Sequence, residues 1–390
     1  MTKTDREHFE EYREQTRIKH VILKKYLAPY FRIRAVGNHD NLVYIDAFAG
    51  AGQYQSPQGP QPGSPLHALD VFAELKPDIG PKISTLLIEI DEELFKRLEV
   101  CVTERHKQLP TLRKPLLFHG SFEDEVDALL TQLKEGNSQL APSFLFADPC
   151  GVSGLGFSTL VRYLKEAEGE ALLFFNYEGV NRIAGLGYKP GGTLSQLVGS
   201  DDRASALIKL LAGKDAKERE EIIVSFYQQA LKVEVPDVFC TAFRVEAEHK
   251  QATSHYLMHL TRNGLGFRLM KEVMWPLGQS ADGKGGLALE QASVKQGAHL
   301  FRPDWEKVKE SILDEIRKQR KLQAKFFYET LSAQRDNRLC QPAYRKALLE
   351  LEAAGKIRVL NANGNPTTAK TRPKRNGEPT LGEKHFIVLA

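Results

Sequence analysis

Short apolar runs separated by longer amphipathic stretches fill the first two thirds of the chain. Runs rich in β-branched and aromatic residues predict buried strands at 42–46, 83–90, 116–119, 143–148 and 171–175. The segments between them carry apolar residues at helical spacing, so strands and helices alternate. This alternation predicts an α/β domain with a parallel sheet, and the functional site is expected at the carboxyl edge of that sheet.

Two later segments, 240–246 and 254–261, alternate apolar and polar residues and predict a pair of strands. A pair at this position closes the sheet of a methyltransferase-type fold, in which an antiparallel strand is inserted beside a parallel one. The later strands therefore favour one particular class of α/β sheet.

Two helices flank the first predicted strand. The first covers residues 8–34, and its many basic side chains, Lys19 and His20 among them, form either a solvated face or a substrate-docking face. The second starts at Leu66, with Ser64 as its N-cap. A long polar segment precedes it, and such loops usually cover a ligand.

The first strand ends in Asp46 and runs directly into a small, glycine-bearing turn at 47–52. Such a unit is the usual cradle of a nucleotide-like ligand in an open α/β sheet. A phosphate needs amide donors and positive charge, and the Asp46 carboxylate would repel it. The carboxylate can instead accept hydrogen bonds from an ammonium or a ribose. The turn therefore favours a cationic, phosphate-free nucleoside, S-adenosylmethionine (SAM), over NAD or ATP.

Further strand ends carry polar residues that are expected to meet at the same edge. Glu89 ends the second strand and Asp91 follows it, where an α/β nucleoside site holds ribose hydroxyls. After the third strand, Ser121 and Phe122 either contact an adenine or begin a capped helix. The fourth strand ends in Asp148. These positions extend the predicted ligand site across neighbouring strands.

Composition and cysteine spacing limit the classes of protein that fit the chain. No run approaches the roughly 18 consecutive apolar residues of a membrane span, and the charged N-terminal stretch does not resemble a signal peptide. Cys101, Cys150, Cys240 and Cys340 lack zinc-site spacing, so no metal site is predicted and reduced thiols are expected. We therefore expect a cytoplasmic protein without membrane contact.

From about Asp304 the sequence becomes basic. The whole chain carries a net charge of +4, and the residues from Leu300 on include 19 basic and 11 acidic side chains, a surplus of eight. Helices are predicted at 304–331 and 342–354 and strands at 356–360 and 385–389, with a polar, basic segment between the strands. This pattern is typical of a winged-helix domain whose basic tip contacts nucleic-acid phosphates. A protein-interaction domain of the same shape is the alternative.

Several motifs follow one another in an order that is more specific than any one of them. They are YIDAFAGAG at the first strand, GSPL at 63–66, LLIEID at the second strand and LFADPCG at the fourth, with the helix KHVILKKYLAPYF before them. Together they resemble the three-Cys-motif partner protein family (TcmP), over about residues 12–275 by motif and 300–390 more loosely. The resemblance implies a Rossmann-like, class I SAM-dependent methyltransferase fold with a mostly parallel seven-stranded sheet. It also implies a partner that carries a three-cysteine motif, a radical-SAM-like iron–sulfur protein.

The domain boundaries follow from these segments. Residues 1–280 are predicted to form the methyltransferase-like domain with its N-terminal helix. A glycine-rich linker at 281–303 follows, and residues 304–390 form the winged-helix-like domain.

A methyltransferase must bind the methyl donor, hold the acceptor in line and accept a proton. The residues predicted to bind the donor come from the strand ends: Asp46, Phe48, Gly50, Gly52, Glu89, Asp91, Ser121, Phe122 and Asp148. Asp148 and Pro149 are the leading catalytic candidates, because a carboxylate and a nearby carbonyl can align an acceptor amine. The segment lacks the base-stacking aromatic residue of the DPPY pattern in adenine and cytosine amino-methyltransferases, and Cys150 stands where the TcmP family has an aromatic or apolar residue. These residues do not select among DNA, RNA, a peptide and a metabolite as the methyl acceptor. Nucleic acid is one candidate.

Two other interpretations stay open. In the first, Cys150 is a nucleophile toward a ring carbon, as in cytosine-C5 methyltransferases, and Glu178 after the fifth strand supplies the acid. In the second, the chain is a non-catalytic module that binds nucleic acid or a protein. SAM binding and the effect of Asp148→Ala separate an enzyme from a binding module.

Overall fold

The computed structural model describes residues 14–37, 39–56, 59–187, 189–246, 253–277, 305–334, 337, 339–375 and 377–390. The chain forms two compact units, Met1–Asn263 and Gly264–Ala390. The division at Asn263 lies ahead of residue 280, where the sequence places the end of the first domain. The predicted linker at 281–303 lies outside the described residues.

The first unit alternates strands and helices, as the apolar pattern predicts. Its elements are α1 (Glu14–Ala35), β1 (Leu42–Asp46), β2 (Gln53–Tyr54), β3 (Gln61–Pro62), α2 (Ser64–Ala73), β4 (Ile83–Glu89), α3 (Glu92–Gln108), β5 (Leu116–His119), α4 (Phe122–Glu135), β6 (Ser143–Ala147), α5 (Phe157–Glu166), β7 (Gly169–Phe175), α6 (Tyr177–Gly185), α7 (Thr193–Val198), α8 (Asp201–Leu211), α9 (Ala216–Glu234), β8 (Phe239–Glu246) and β9 (Thr253–Thr261).

Seven of these strands form one sheet, in the order β5-β4-β1-β6-β7-β9-β8. Strands β5, β4, β1, β6 and β7 are parallel, whereas β9 runs antiparallel to both of its neighbours. The central strands β1 and β6 are buried along their whole length, as their unbroken apolar runs require. This topology is the Rossmann-like class I methyltransferase fold, and it confirms the fold predicted for the first domain.

The strand order reverses between β1 and β6, because the chain first adds β4 and β5 on one side and later β6 and β7 on the other. In open α/β sheets such a switch point leaves a crevice outside the carboxyl ends of the strands, where ligands bind. The switch point therefore indicates that the residues after β1 and β6 form the centre of the site.

Helix α1 is attached to the sheet at both edges. Near the amino edge the Tyr26 hydroxyl donates to Glu170 Oε2, at the start of β7, over 2.5 Å. At the carboxyl edge the Lys19 ammonium donates to Asp148, just after β6. The helix therefore spans the sheet from one end of its strands to the other.

The N-cap of helix α2 lies one residue earlier than its sequence predicts. Gly63 is the N-cap and Ser64 is the first helical residue, so the prediction of Ser64 as the N-cap is wrong. The Gly63 amide donates to the Gly52 carbonyl over 2.8 Å, and a methyl group at Gly63 would lie 2.8 Å from that oxygen. The cap position is held by backbone contact, which leaves the Ser64 hydroxyl beside the Asp46 carboxylate.

The second unit combines helices with a small antiparallel sheet. Its elements are α10 (Gly264–Met274), α11 (Trp305–Gln319), β10 (Lys321–Gln323), a π-helical turn (Phe326–Leu331), α12 (Gln341–Ala353), β11 (Ile357–Leu360), β12 (Pro366–Thr367), β13 (Lys374–Arg375), β14 (Glu378–Pro379) and β15 (Phe386–Leu389). The sheet order is β10-β15-β11-β12, and a separate hairpin pairs β13 with β14.

The single helix predicted over 304–331 is wrong. Helix α11 ends at Gln319, and Arg320 has a φ of 60°, which turns the chain. Leu322 is then buried between two exposed residues of β10, which pairs with β15. One buried residue in a charged segment is too weak a signal to separate a three-residue strand from a helix.

In the part of the chain that the structure describes, each helix is too short or too polar to cross a bilayer. Within the same ranges, no cluster of His, Cys, Asp and Glu side chains is arranged to hold a metal ion. Within the described residues the four cysteines form no disulfide bond.

Candidate active site

Acidic side chains stand at the carboxyl ends of three neighbouring strands. Asp46 is the last residue of β1, Glu89 the last of β4, and Asp148 follows the last residue of β6. The charge of Asp148 raises the pKa of Asp46, so the two carboxyl groups on either side of the switch point act on each other. The fold brings together the acids that the sequence places at separate strand ends.

Asp46 lies inside the protein, with none of its surface exposed. Burial raises the pKa of this carboxyl from 3.8 to about 7, with a further contribution from Asp148. The Tyr44 hydroxyl donates to Oδ2 over 3.2 Å, and the neighbouring Ser64 hydroxyl opposes the rise. Among the described residues, Oδ1 has no hydrogen bond of normal geometry. Asp46 is therefore a buried acceptor that can take a donor from a ligand.

Both oxygens of Glu89 bind backbone amides. The Gly50 amide donates to Oε2 and the Asp91 amide donates to Oε1, each over 2.8 Å. Burial raises the pKa of Glu89, and these two amides oppose the rise. A carboxylate offers about four acceptor positions, so each oxygen can also accept from a hydroxyl. Glu89 is thus fixed in an orientation that suits two adjacent hydroxyls, such as those of a ribose.

The glycine turn depends on glycine at specific places. Gly50 has a φ of 61° and Gly52 a φ of 78°, a region that side chains disfavour. A methyl group at Gly52 would also lie 3.2 Å from Leu98 Cδ1 and 3.3 Å from Cys101 Cβ, on α3. The turn is packed so closely against α3 that only backbone fits, and its amides are the groups it can offer a ligand.

Asp148 forms an ion pair with Lys19 of α1. Lys19 is only 6% exposed. Burial alone would lower its pKa, but the Asp148 carboxylate outweighs this and raises the pKa of Lys19. The ammonium also lies 5.0 Å from the centre of the Phe174 ring. Tyr54, from the hairpin that follows the glycine turn, belongs to the same cluster, because its pKa responds to both Lys19 and Asp148.

Neither Lys19 nor His20 belongs to an exposed basic face, since His20 is 1% exposed. The sequence interpretation of a basic surface is wrong for these two residues. Helical spacing could have predicted the burial of Lys19. This residue lies three residues before Ile22 and seven before Tyr26, both buried, and therefore on the same face of the helix. A lysine on the apolar face of a helix needs a buried carboxylate, and Asp148 supplies it.

Two buried imidazoles lie beside this cluster. The ring centres of His20 and His67 are 4.9 Å apart, and those of His20 and Tyr54 are 5.8 Å apart. Burial lowers the pKa of His20 well below its usual value and that of His67 to about 4. Both rings are therefore neutral at pH 7. No sequence motif predicts this pair, because its members come from different helices.

Asp91 and Ser121 act as helix caps. Asp91 Oδ1 accepts from the first amides of α3, and the Ser121 hydroxyl accepts from the Asp124 amide over 3.1 Å. Phe122 is 1% exposed, and its ring centre lies 6.1 Å from that of Phe48. The capped-helix interpretation of this turn is confirmed, and a contact of these residues with an adenine stays a prediction.

The loop after β6 carries Pro149 and Cys150, which are buried and half-buried. The first turn of α6 packs against this loop, since a methyl group at Gly179 would overlap Val152. Glu178 lies on that turn with its side chain exposed. The structure thus brings both elements of the Cys150–Glu178 hypothesis to one region, and its chemistry stays a prediction.

Comparisons with known proteins return methyltransferase structures of low similarity. No family model matches the chain, and no curated protein matches it. Protein LPL1258 from Legionella pneumophila is 12% identical, with a TM-score of 0.34 over 62% of this chain and 85% of that one. An O-methyltransferase from Bacillus cereus in complex with SAH is 12% identical, with a TM-score of 0.31 over 61% and 80%. The plantazolicin methyltransferase BpumL in complex with SAH is 10% identical, with a TM-score of 0.31 over 66% and 88%. At these scores the fold assignment rests on the strand order of the sheet.

Proposed function

We propose that the chain is a SAM-dependent methyltransferase. The observation that carries the proposal is Glu89, which two backbone amides hold beside the switch point with acceptor positions left for a ribose diol. The Gly50–Gly52 turn and the orphaned Asp46 oxygen fit the methionine portion, whose ammonium needs acceptors. SAM supplies an electrophilic methyl group on a sulfonium. The absence of a lysine-bearing phosphate loop from the turn agrees with a phosphate-free ligand.

Asp148 is the residue proposed to act on the methyl acceptor. Its carboxylate lies at the switch point, bonded to the buried Lys19, and can accept a proton or a hydrogen bond from a nucleophile. Pro149 is buried behind it and fixes the backbone of the loop. The protein's contribution to methyl transfer is thus orientation and proton acceptance.

Calorimetric titration with SAM and with S-adenosylhomocysteine tests the proposal. We expect binding in the micromolar range, a loss of at least tenfold in Glu89→Gln, and no loss in Glu99→Gln. Glu99 is the matched control, because it is an exposed glutamate on α3, the helix that packs against the turn. Absence of binding at high micromolar concentration by the folded protein would rule the enzyme out.

The second unit is proposed to be a winged-helix-like domain that binds DNA or RNA. The order α11, β10, helical turn, α12, β11, β15 supports this, as does the sheet order in which β15 lies between β10 and β11. Between β11 and β15, Lys370 and Lys374 are exposed, whereas Arg372 is buried and paired with Glu352. The buried pair fixes the segment, and the exposed lysines can contact phosphates.

Salt dependence tests this assignment. Binding to duplex DNA and to RNA is measured at several salt concentrations for the parent, for Lys374→Glu and for the control Lys356→Glu. Lys356 is exposed and lies outside the basic segment between β11 and β15. A phosphate contact through the tip predicts a steep fall of affinity with salt and a shallower slope in Lys374→Glu. Equal slopes in the three proteins would show that the tip is not the contact.

The TcmP resemblance leads to a further part of the proposal, a radical-SAM-like iron–sulfur partner with a three-cysteine motif. The motif order at 12–275 supports it. Purification from the native host, followed by mass spectrometry of bound proteins and ligands, tests it. Recovery of partners without iron–sulfur clusters would count against it.

A non-catalytic module that binds nucleic acid or a protein is the second candidate. One observation favours it: Lys19 neutralises the carboxylate that would serve as the base. Asp148→Asn keeps the size of the side chain and removes its basicity. Such a variant should keep all function in a binding module and lose methyl transfer in an enzyme.

A further inference from the structure

The ammonium of Lys19 lies in a small set of groups that suits a cation. Asp148 Oδ2 accepts its hydrogen bond, and the Phe174 ring lies under it at 5.0 Å from the ring centre. Tyr54 is close enough to influence the pKa of Lys19, which places this side chain near the ammonium. A carboxylate combined with an aromatic face is the usual arrangement for binding an alkylammonium.

The Phe174 ring is held in place by a neighbouring ring, that of His255. It stacks on the His255 ring with centres 4.2 Å apart and planes within 8°. Asp148 is fixed by the loop after β6, with the buried Pro149 beside it. The cation-binding groups therefore belong to the sheet and its loop, and Lys19 enters from a different element, helix α1.

Helix α1 has attachments that do not involve Lys19. The Tyr26 hydroxyl donates to Glu170, and the Tyr30 hydroxyl donates to the Ser143 carbonyl over 2.6 Å. Removal of the Lys19 ammonium therefore leaves the helix bound through its later turns. The ammonium can be replaced at its site without loss of the whole helix.

We propose that the Asp148–Phe174 site is the acceptor subsite, that it takes a primary alkylamine, and that Lys19 occupies it as an internal stand-in for that amine. This inference rests on the proposed methyltransferase function and adds to it a class of acceptor, an alkylamine such as a lysine side chain. Asp148 follows β6 at the switch point, where the acceptor must meet the donor.

The chemistry balances with the groups present. The acceptor ammonium gives a proton to the Asp148 carboxylate, and the freed nitrogen pair forms the new bond to the methyl carbon. The pair of the breaking carbon–sulfur bond stays on sulfur, which becomes a neutral thioether. Asp148 then releases this proton to solvent, and the product leaves as an N-methylalkylammonium, so no oxidant or metal is required.

Chemical rescue tests the subsite without reference to methyl transfer. The Lys19→Ala substitution removes three methylene groups and the ammonium. In this variant n-butylamine supplies an alkyl chain with an ammonium, and 1-butanol is the neutral control. We expect a saturable rise in the Tm of Lys19→Ala with n-butylamine and none with 1-butanol. The parent, Lys25→Ala (an exposed lysine on the same helix) and Lys19→Ala/Asp148→Asn should not respond. If Lys19→Ala is unfolded, recovery of its circular dichroism on refolding in n-butylamine is the same positive result. Equal effects of amine and alcohol, or no effect, would overturn the subsite.

A second measurement tests the acceptor class. Lys19→Ala that binds SAM is incubated with n-butylamine, and the amine is analysed for an added methyl group. N-methylbutylamine is the expected product, at a rate at least tenfold above that of the parent, in which Lys19 competes. Amine rescue and SAM binding without product would overturn the acceptor class and leave the methyltransferase proposal standing. Rescue without SAM binding would overturn the methyltransferase proposal and, with it, the acceptor role.

Discussion

Lys19 and Asp148, 129 positions apart in the sequence, form a largely buried ion pair that joins helix α1 to the carboxyl edge of the sheet. The carboxylate has a like-charged neighbour in Asp46, whose pKa it raises. The ammonium therefore balances negative charge that the fold concentrates around the switch point. Removing either partner leaves the other charge buried without compensation.

Lys19→Met is expected to reduce the free energy of unfolding by about 3 to 5 kcal/mol, the usual cost of leaving one buried partner unpaired. Lys19→Met/Asp148→Asn should recover most of this loss, and Lys25→Met should be neutral. Far-UV circular dichroism in urea follows the transitions of both units. Tryptophan fluorescence follows the second unit separately, because both tryptophans, Trp275 and Trp305, lie there. A neutral Lys19→Met would show that the pair contributes nothing.

Asp46 should make the stability of the first unit depend on pH. Its pKa is about 7 in the folded protein and 3.8 in the reference state, so the folded state binds more protons between these values. Stability therefore falls as the pH rises from 4 to 7, by up to about 4 kcal/mol, and then levels off. Asp46→Asn should remove this slope, whereas the exposed Asp78→Asn should retain it. Urea unfolding at several pH values measures it, and a slope that persists in Asp46→Asn would contradict the assignment.

Comparison of two substitutions separates backbone strain from steric conflict in the glycine turn. They are Gly52→Ala, in that turn, and Gly59→Ala, in the loop between β2 and β3. Both glycines have positive φ values, 78° and 101°, but a methyl group at Gly59 meets no atom within 4 Å. Gly59→Ala should cost about 1 kcal/mol from strain alone. Gly52→Ala should cost more and also weaken SAM binding, because the turn must move away from Leu98. Equal losses of stability with unchanged SAM affinity would exclude a close fit of the turn against α3.

Lys271 has an unusual role in the second unit. Its ammonium donates to the carbonyls of Ser332, Asn337 and Leu339 over 2.6 to 2.8 Å, and the side chain is buried. Lys271→Met should leave these carbonyls without a donor and cost several kcal/mol, about 1 to 3 for each group that water cannot reach. Tryptophan fluorescence in urea measures the loss, with the exposed Lys356→Met as control.

Burial lowers the pKa of the same Lys271 to about 7. The unfolded chain then binds more protons than the folded one between pH 7 and 10.5, so the stability of the second unit should rise with pH over that interval. The tryptophan transition should move to higher urea concentration from pH 7 to pH 9 in the parent and remain constant in Lys271→Met. A parent transition independent of pH would show that the three carbonyls keep the ammonium fully charged.

The parts of the site that the sequence predicted are those that depend on local order. Asp46, Glu89 and Asp148 follow apolar runs that had to become parallel strands, so their meeting at one edge follows from topology. The sequence could not place Lys19 and His67 in the site, because the residues that they contact are distant in sequence. The strand at Leu322 was hidden for a related reason, since its partner Ile387 lies 65 residues away.

Helix α1 is the first described element of the chain, yet its binding partners are made much later. The ribosome adds more than a hundred residues between Tyr26 and its partner Glu170. The same holds for Lys19 and its partner Asp148. At synthesis rates of about 5 to 20 residues per second this delay lasts on the order of ten seconds. The aromatic face of α1 formed by Tyr26 and Tyr30 lacks its partner Phe144 during that time. We expect chaperones that bind emerging helices to recognise the newly made protein. The yield of folded protein should depend on these chaperones more strongly than the stability of the folded protein does.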